Sequence, residues 1–349
     1  MKCKSASCST NYTSNIIRIT CTALAFLALH IFLLASCNGD NNSNSSDNSG
    51  SSNNTSNYKQ PDSHPRSLPP KSYPSVSVVI ATYGERHAYH ELIYKAYKAQ
   101  DYNGKLNLII YDNASTPSPF FTADNAAKYD HSVIYKHTTK TPNELSLGAK
   151  RNKLVEMSAS DILVVWDDDD FYGKNYVSFM VEKLGKLDAD FLKSTKWLMA
   201  HFNKKGDGLE YHTVSPNVGK THGWGFSYIF NRKVYTETKC RYADQNRGEE
   251  DPFAECVDQH KKYSFKRFEF DALSAKPYMV KFESYTPKKI VSMNKNWQKT
   301  YDIRYGKNDK FQSRNPEGPP LSIDQVANIK PEQSQLLREY SKLYQKLGQ

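Results

Sequence analysis

The feature that most constrains the fold is an alternation of apolar strands and helices that begins at Val76. The segment VSVVIAT (76–82) is a continuous β-branched run, which is typical of a strand buried on both faces of a parallel sheet. Further strands are predicted at 106–112, 132–136 and 161–166, and helices at about 89–100 and 148–157. This order predicts a doubly wound α/β sheet, in which ligands bind at the carboxyl ends of the strands.

Polar residues directly follow three of these strands, at Thr82 to Arg86, Asp112 to Ser115 and Asp167 to Asp170. The first strand is not followed by a G-x-G-x-x-G segment, and the chain has no Walker A sequence. Dinucleotide-binding and P-loop folds are therefore disfavoured. The formal charge is +10, but Lys and Arg are spread along the whole chain, so nucleic acid is not expected as a partner.

The run Asp167 to Asp170 stands directly after the apolar segment DILVVW. Four adjacent carboxylates repel one another in a partly dry site unless a cation is present. Carboxylate oxygens at this density suit Mg²⁺ or Mn²⁺, which would also bind phosphate oxygens. The alternative is a solvated acidic turn, which is the weaker interpretation directly after a buried strand.

Four motifs follow one another along the chain: VSVVIATYGER, IIYDNAS, GAKRN and VVWDDDDFYGKNYV. In this order and spacing they resemble the inverting glycosyltransferases of family 2, which have the GT-A fold, over roughly residues 74–270. The resemblance implies transfer of a sugar from a nucleotide-sugar, with UDP as the expected nucleotide. The acceptor would be a glycan, a lipid or a protein.

The resemblance also implies roles for single residues on the donor side. Members of the family contact the nucleobase at the end of the first strand, bind it with an acidic residue after the second, and hold the metal in the acidic run. Asp169 is the expected direct metal ligand, together with Asp167, and Arg151 would lie near the base and the phosphates. The residues expected to bind the donor are Thr82, Tyr83, Glu85, Asp112, Arg151, Asp167 and Asp168.

An inverting transfer needs a carboxylate that accepts the proton of the acceptor hydroxyl. The segment RGEEDPF is similar to the family's Glu-Asp motif, so Asp251 is the expected base, with support from Glu250. The alternative is an acidic helix N-terminus, which the helix macrodipole favours without catalysis. The segment GWGFSYIFNRKVY resembles the part of the family that shapes the acceptor site. There Trp224 and Phe226 either stack on a sugar ring or belong to the core.

Residues 19–36 form an uncharged apolar stretch that Lys2, Lys4 and Arg18 precede. Its length is near the lower limit for crossing a hydrocarbon layer of roughly 30 Å, and the basic residues predict a cytoplasmic N-terminus. The stretch ends in LASC, which resembles a bacterial lipoprotein signal with Cys37 as the lipidation site. The alternative is an uncleaved signal anchor. Both predict a membrane-anchored protein with a non-cytoplasmic catalytic domain, a layout that fits a Golgi enzyme but conflicts with the cytoplasmic nucleotide-sugars of bacteria.

Composition divides the rest of the chain. Residues 38–73 are rich in Asn, Ser and Pro, cannot bury enough apolar surface to fold, and predict a disordered linker. The mean hydropathy of −0.72 agrees with such a segment. The expected regions are a basic N-terminus (1–18), a signal or anchor segment (19–37), the linker (38–73), the catalytic domain (74–300), and a C-terminal helical extension (301–349). Within them, Asn294 to Trp297 is a candidate lid and Ser322 to Leu347 a predicted helix, with or without a break.

Three questions stay open at this level. Cys240 and Cys256 fit no zinc pattern and are either two buried thiols or one disulfide. The fold could also serve a non-catalytic carbohydrate- or cation-binding module, which the intact acidic run and Asp251 argue against. A nucleotidyltransferase would need a Gly-rich, basic loop after the first strand, and TYGERHAY matches that poorly.

Overall fold

The protein is described from a computed structural model, which covers residues 72–203, 207–214, 222, 224–269, 279–282, 316–329 and 333–348. These residues lie in one compact unit, 68–349. The apolar stretch with Cys37, residues 38–71 of the linker, and the candidate lid at 294–297 lie outside the described residues. Within the described ranges, no helix combines the length and the apolar character that crossing a membrane requires.

The described residues form twelve strands and eight α-helices. The strands are β1 (Val76–Thr82), β2 (Leu106–Asp112), β3 (Val133–His137), β4 (Ile162–Trp166), β5 (Phe171–Tyr172), β6 (Phe191–Ser194), β7 (Trp197–Phe202), β8 (Leu209–Val214), β9 (Ile229–Asn231), β10 (Phe265–Phe268), β11 (Met279–Phe282) and β12 (Pro316–Leu321). The helices are α1 (His90–Lys98), α2 (Pro119–Thr122), α3 (Leu147–Met157), α4 (Tyr176–Lys186), α5 (Lys233–Thr236), α6 (Glu250–Gln259), α7 (Ile323–Ile329) and α8 (Ser334–Gly348). A short 3₁₀ helix, Gly84–Tyr89, joins β1 to α1.

The predicted doubly wound sheet is confirmed. Seven strands lie in the order β10-β6-β9-β4-β1-β2-β3. The pairs β1–β2, β1–β4, β2–β3 and β6–β10 are parallel, and β9 is antiparallel to β4 and β6. Side chains alternate between the faces, so Val78 and Ile80 pack on one side with α1, α4 and α8, and Val79 packs on the other with α3 and α6. Helices on both faces explain why these strands read as unbroken apolar runs.

A second sheet of five strands has the order β12-β8-β7-β11-β5. Its strand β12 pairs antiparallel with β8, so the C-terminal region contributes a strand as well as helices. The predicted C-terminal helix is present as two helices, α7 and α8, and residues 330–332 between them lie outside the described part. Tyr340 and Tyr344 of α8 are buried in the core beside Phe282, so α8 is part of the same packed unit.

Cys240 and Cys256 form a disulfide, with Cα atoms 5.5 Å apart. The sequence had left a disulfide and two free thiols open. The bond joins the segment before α6 to the middle of that helix. It therefore closes a loop that contains Glu249, Glu250 and Asp251.

Candidate active site

The acidic run lies between β4 and β5, at the carboxyl edge of the central sheet. Asp168, Asp169 and Asp170 are buried and Asp167 is half-buried. The Thr82 hydroxyl, at the end of β1, donates a hydrogen bond of 2.7 Å to Asp168. Thr82 is also paired in register with Asp112 at the end of β2. The three polar strand ends that the sequence singled out therefore meet at one edge.

Three basic side chains neutralise these carboxylates from within the protein. The Arg86 guanidinium forms an ion pair with Asp169 and lies 4.0 Å from Asp168. The Lys281 ammonium on β11 lies 3.2 Å from Asp167 and 3.0 Å from Asp170. Arg151 of α3 donates to Asp167 at 3.2 Å, and the Phe282 backbone N–H donates to Asp170 at 2.8 Å.

The charges around the run move its pKa values in opposite directions. Burial raises the pKa of Asp168 to about 7, and the neighbouring Asp169 adds to the rise. Burial alone would also raise the pKa of Asp167, but Lys281 and Arg151 lower it below its usual range. Asp167 therefore stays ionised, whereas Asp168 takes up a proton more readily than an ordinary aspartate.

Asp167, Asp169 and Asp170 can present one oxygen each within 4.8 Å of one another. Such hard oxygen donors suit Mg²⁺ or Mn²⁺, so the residues present fit the predicted metal. The two expected ligands, Asp169 and Asp167, both belong to this group. The same three carboxylates are in contact with Arg86 and Lys281, so a metal ion would compete with these two cations for them.

The predicted nucleobase side is built around Asp112, which is fully buried. One of its oxygens lies 2.6 Å from the Tyr135 hydroxyl and 2.7 Å from Nε2 of His87, and the other accepts from the Ala114 N–H at 2.9 Å. Tyr83 is half-buried. The backbone of Glu85 lies in the 3₁₀ helix, but its side chain lies outside the described part.

His90 links the end of β1 to the N-terminus of α2. Its Nε2 lies 3.0 Å from the Thr82 hydroxyl, and its Nδ1 lies 2.7 Å from the hydroxyl of Ser118. Burial lowers the pKa of His90 to about 3, and the neighbouring His87 lowers it further. The imidazole is therefore neutral in the folded protein and connects Thr82 and Ser118 through hydrogen bonds.

Adjacent basic residues of α3 serve different neighbours. Lys150 donates to the Thr82 carbonyl at 2.9 Å and to the Asn113 side chain at 2.8 Å. Arg151 lies between Asp167 and the buried Glu249, with 2.9 Å between Nη1 and Oε1. A Cβ atom at Gly225 would clash with this guanidinium, which explains the glycine of GWGF. Since Arg151 binds two carboxylates of the protein, its predicted contact with the donor stays a prediction.

The expected base segment begins α6. Glu249 is buried against Arg151, Glu250 accepts a hydrogen bond of 3.2 Å from the Trp224 N–H, and Asp251 is exposed. Gly248 has φ +62°, a left-handed conformation that glycine adopts readily. Burial and the charge of Glu250 raise the pKa of Asp251. A carboxylate with this shift is a better proton acceptor than an ordinary aspartate.

The two candidate acceptor aromatics differ. Trp224 is half-buried, has φ +76°, and packs against Trp197 with ring centroids 5.1 Å apart. Phe226 is only 2% exposed and packs edge-on against Trp197. Of the two roles that the sequence left open for Phe226, its burial favours the core, and stacking on a sugar stays a prediction. Trp224 is partly exposed, and its role stays a prediction.

Several residues of the site escaped the sequence analysis. Lys281 comes from a strand with no motif, and Tyr135 is recognisable only from its partner in space. Arg86 and His87 lie in the segment TYGERHAY, a few residues after the end of the first strand. Basic residues at that position were the sequence signal that could have identified them.

A family model described as glycosyl transferase family 2 matches residues 77–216. An N-acetylglucosaminyltransferase of Neorhizobium galegae is 24% identical over 139 residues, which cover 37% of this chain and 30% of that protein. The chain therefore matches less than a third of that relative's length. Among solved structures, S. aureus TarS 1–349 aligns with a TM-score of 0.44 and 11% identity over 78% of this chain and 90% of that one. Its complex with UDP-GlcNAc aligns with a TM-score of 0.43 and 12% identity over 79% and 82% of the two chains. The match to the family model runs from β1 to β8 and overlaps all four motifs that carry the resemblance.

Proposed function

We propose that the protein is an inverting glycosyltransferase of the GT-A type that transfers a sugar from a UDP-linked donor to an acceptor hydroxyl. The observation that carries the proposal is the meeting of the ends of β1, β2 and β4, where Thr82 binds Asp168 and is paired with Asp112. This edge is where doubly wound sheets bind ligands. The curated relative is named as an N-acetylglucosaminyltransferase, which makes UDP-GlcNAc the first donor to test.

On the donor side, Asp112 and Tyr83 would face the nucleobase, and Glu85 would join them. Asp169 and Asp167 would hold Mg²⁺ or Mn²⁺, and a bound cation would stabilise the charge of the departing diphosphate. Arg86 and Lys281 already lie against these carboxylates. Both are placed to pair with phosphate oxygens once a cation takes over their present partners.

On the acceptor side, the carboxylate of Asp251 would accept the proton of the attacking hydroxyl. The acceptor oxygen forms a bond to the anomeric carbon while the bond from that carbon to the diphosphate breaks, so one displacement inverts the centre. Glu250 would support the base by holding the backbone of Trp224 at 3.2 Å. Glu249 is an unsuitable base in this arrangement, because it is buried against Arg151.

A non-catalytic cation- or carbohydrate-binding module is the second candidate. It is favoured by the pairing of the acidic run with Arg86, Lys281 and Arg151, which balances most of its charge without a metal. The two candidates differ in turnover. A module of this kind would bind nucleotide-sugar or cation but would release no nucleoside diphosphate.

The apolar stretch at 19–36 supports a further part of the proposal, a membrane tether. Either Cys37 is lipidated or the stretch remains as a signal anchor, with the catalytic domain on the non-cytoplasmic side. The N-terminal residue and the mass of the membrane-bound protein would distinguish the two anchors. A chain that begins at a lipidated Cys37 indicates the lipoprotein signal, and a chain that keeps residues 19–36 indicates a signal anchor.

The test of the catalytic proposal is a panel of nucleotide-sugars in which diphosphate release is measured for the wild type and for Asp251→Asn. We expect kcat to fall by about 10²–10⁴-fold in the variant, with donor affinity nearly unchanged because the base faces the acceptor. Glu255→Gln, on the exposed side of the same helix, is the matched control and should retain activity. Full activity of Asp251→Asn would remove this residue from the mechanism and leave Glu250 as the remaining candidate.

A further inference from the structure

A second group of metal-ligand side chains lies on the β7–β8 hairpin, outside the acidic run. It consists of His201 on β7 and of Glu210 and His212 on β8, and one nitrogen or oxygen atom of each lies within 4.8 Å of the others. We propose that this His-Glu-His group is a separate binding site for a transition-metal ion, with Zn²⁺ as the best match. The inference is independent of the proposed transferase activity.

The strand register brings the three side chains to one face of the second sheet. His201 is directly opposite Glu210, and His212 is opposite Met199, two residues earlier on β7. Residues opposite each other on paired strands share a face, so His201 and His212 are diagonal neighbours on it. Their rings are stacked with centroids 4.6 Å apart. The intervening Tyr211 points to the other face, where its hydroxyl lies 2.7 Å from that of Ser341 on α8.

The hydrogen bond of His201 fixes the tautomer that a metal ligand needs. Its Nδ1 lies 2.9 Å from the carbonyl oxygen of Phe202. A carbonyl can only accept, so Nδ1 carries the hydrogen and Nε2 of the neutral ring carries a lone pair. Metal-binding histidines commonly show this arrangement, in which the second ring nitrogen donates to a carbonyl or carboxylate that fixes the tautomer and the ring orientation.

His212 supplies an independent observation that points to a ligand. It is 8% exposed, and neither of its ring nitrogens has a hydrogen-bond partner in the part of the chain that the structure describes. Its Nε2 is 3.6 Å from a carboxylate oxygen of Glu210, which is too far for a hydrogen bond. Buried polar groups are normally satisfied, and a metal ion bound to Nε2 would give the His212 ring a partner.

The donor set identifies the class of metal. Two imidazole nitrogens and one carboxylate oxygen form a three-ligand zinc set with a fourth position open to water. Mg²⁺ and Mn²⁺ prefer oxygen ligands, so they would favour the acidic run. A metal here would join β7 to β8. The first residue of β7, Trp197, packs against Trp224. A metal ion on the hairpin would therefore also stiffen the acceptor side of the candidate active site.

The test uses the full chain, freed of metal with a chelator and then titrated with Zn²⁺ in excess Mg²⁺, which competes for the acidic run. Bound zinc is counted by elemental analysis, and Co²⁺ is used in parallel because nitrogen ligation gives it visible absorption bands. We expect one zinc per chain. His212→Gln should lower the zinc affinity by about 100-fold or more, since even the partners of metal ligands contribute about 10–100-fold. His131→Gln, at an exposed position, is the matched control and should bind zinc like the wild type.

A second variant keeps the test decisive if His212→Gln does not fold. Glu210 is only half-buried, and Glu210→Gln keeps its shape while removing the charge. Zinc should raise the melting temperature of the wild type but not that of Glu210→Gln. The proposal is overturned if either folded variant binds zinc as tightly as the wild type. It is also overturned if Asp169→Asn alone abolishes the bound zinc, because the ion then belongs to the acidic run.

Discussion

The Cys240–Cys256 disulfide closes the loop that carries Glu249, Glu250 and Asp251, and its removal tests how firmly that segment is held. The two cysteines are 16 residues apart. In the chain-entropy treatment, a closed loop of this size restricts the unfolded chain by about 3 kcal/mol at 25 °C. Replacing both cysteines with Ala should therefore lower the free energy of unfolding by about 3 kcal/mol. Since Cys240 is 1% exposed, lost packing would add to this value.

The assay is denaturant unfolding of the wild type and the double variant, each with and without a reductant. The reductant should lower the midpoint of the wild type and leave that of the variant unchanged. Thiol titration of the denatured, unreduced proteins should give the same count for both, because the wild-type pair is oxidised. Two additional thiols in the wild type, or a midpoint that the reductant does not move, would refute the reasoning.

Three further predictions concern single side chains. Asp169→Asn should weaken Mn²⁺-dependent UDP binding by about tenfold or more, because the metal loses a charged ligand. Calorimetry with and without the metal measures the UDP affinity of both proteins. Equal affinities of the wild type and the variant would contradict the metal assignment. Burial and His87 lower the pKa of His90 from 6.5 to about 3. Below pH 6.5 the His90 ring is therefore protonated in the unfolded chain but stays neutral in the folded one. The contribution of His90 to the free energy of unfolding should be complete above pH 6.5 and should fall as the pH drops towards 3, by up to about 1.4 kcal/mol per pH unit. The variant His90→Gln should not show this part of the pH dependence. Unfolding curves of both proteins at pH 7, 6 and 5 measure the difference. Gly225→Ala should cost about 1–3 kcal/mol because its methyl group displaces Arg151, and a variant with unchanged stability would show that the guanidinium can move freely.

The sheet was predictable because its signals are local. A buried parallel strand must be apolar on both faces, and the continuous apolar segments VSVVIAT and ILVVW meet this requirement. Once those strands are parallel, their polar ends must lie at one edge, which is why the meeting of Thr82, Asp112 and Asp168 followed from the order of the motifs alone. The boundaries of these strands differ from the prediction by one residue at most.

The partners of the acidic run were not predictable, because they come from distant parts of the chain. Lys281 lies 111 residues beyond Asp170, on a strand that no motif marks. The sequence left the role of Phe226 open for a related reason, since an aromatic ring in a motif has the same sequence signal whether it faces a ligand or the core. Its ring packs edge-on against Trp197 of β7, a contact between distant segments that no local pattern marks.

The balance of charge in the site bears on how a donor would enter it. Four carboxylates are matched by the cations of Arg86, Arg151 and Lys281, and Arg151 is shared with Glu249. A nucleotide diphosphate adds negative charge to this edge, which is unfavourable in a partly buried site unless a cation accompanies it. A divalent metal bound together with the diphosphate would supply that charge and would leave Arg86 and Lys281 to pair with the phosphates. The ion pairs of the ligand-free protein would then be exchanged for contacts with the metal and the donor, so the arrangement favours joint binding over binding of either one alone.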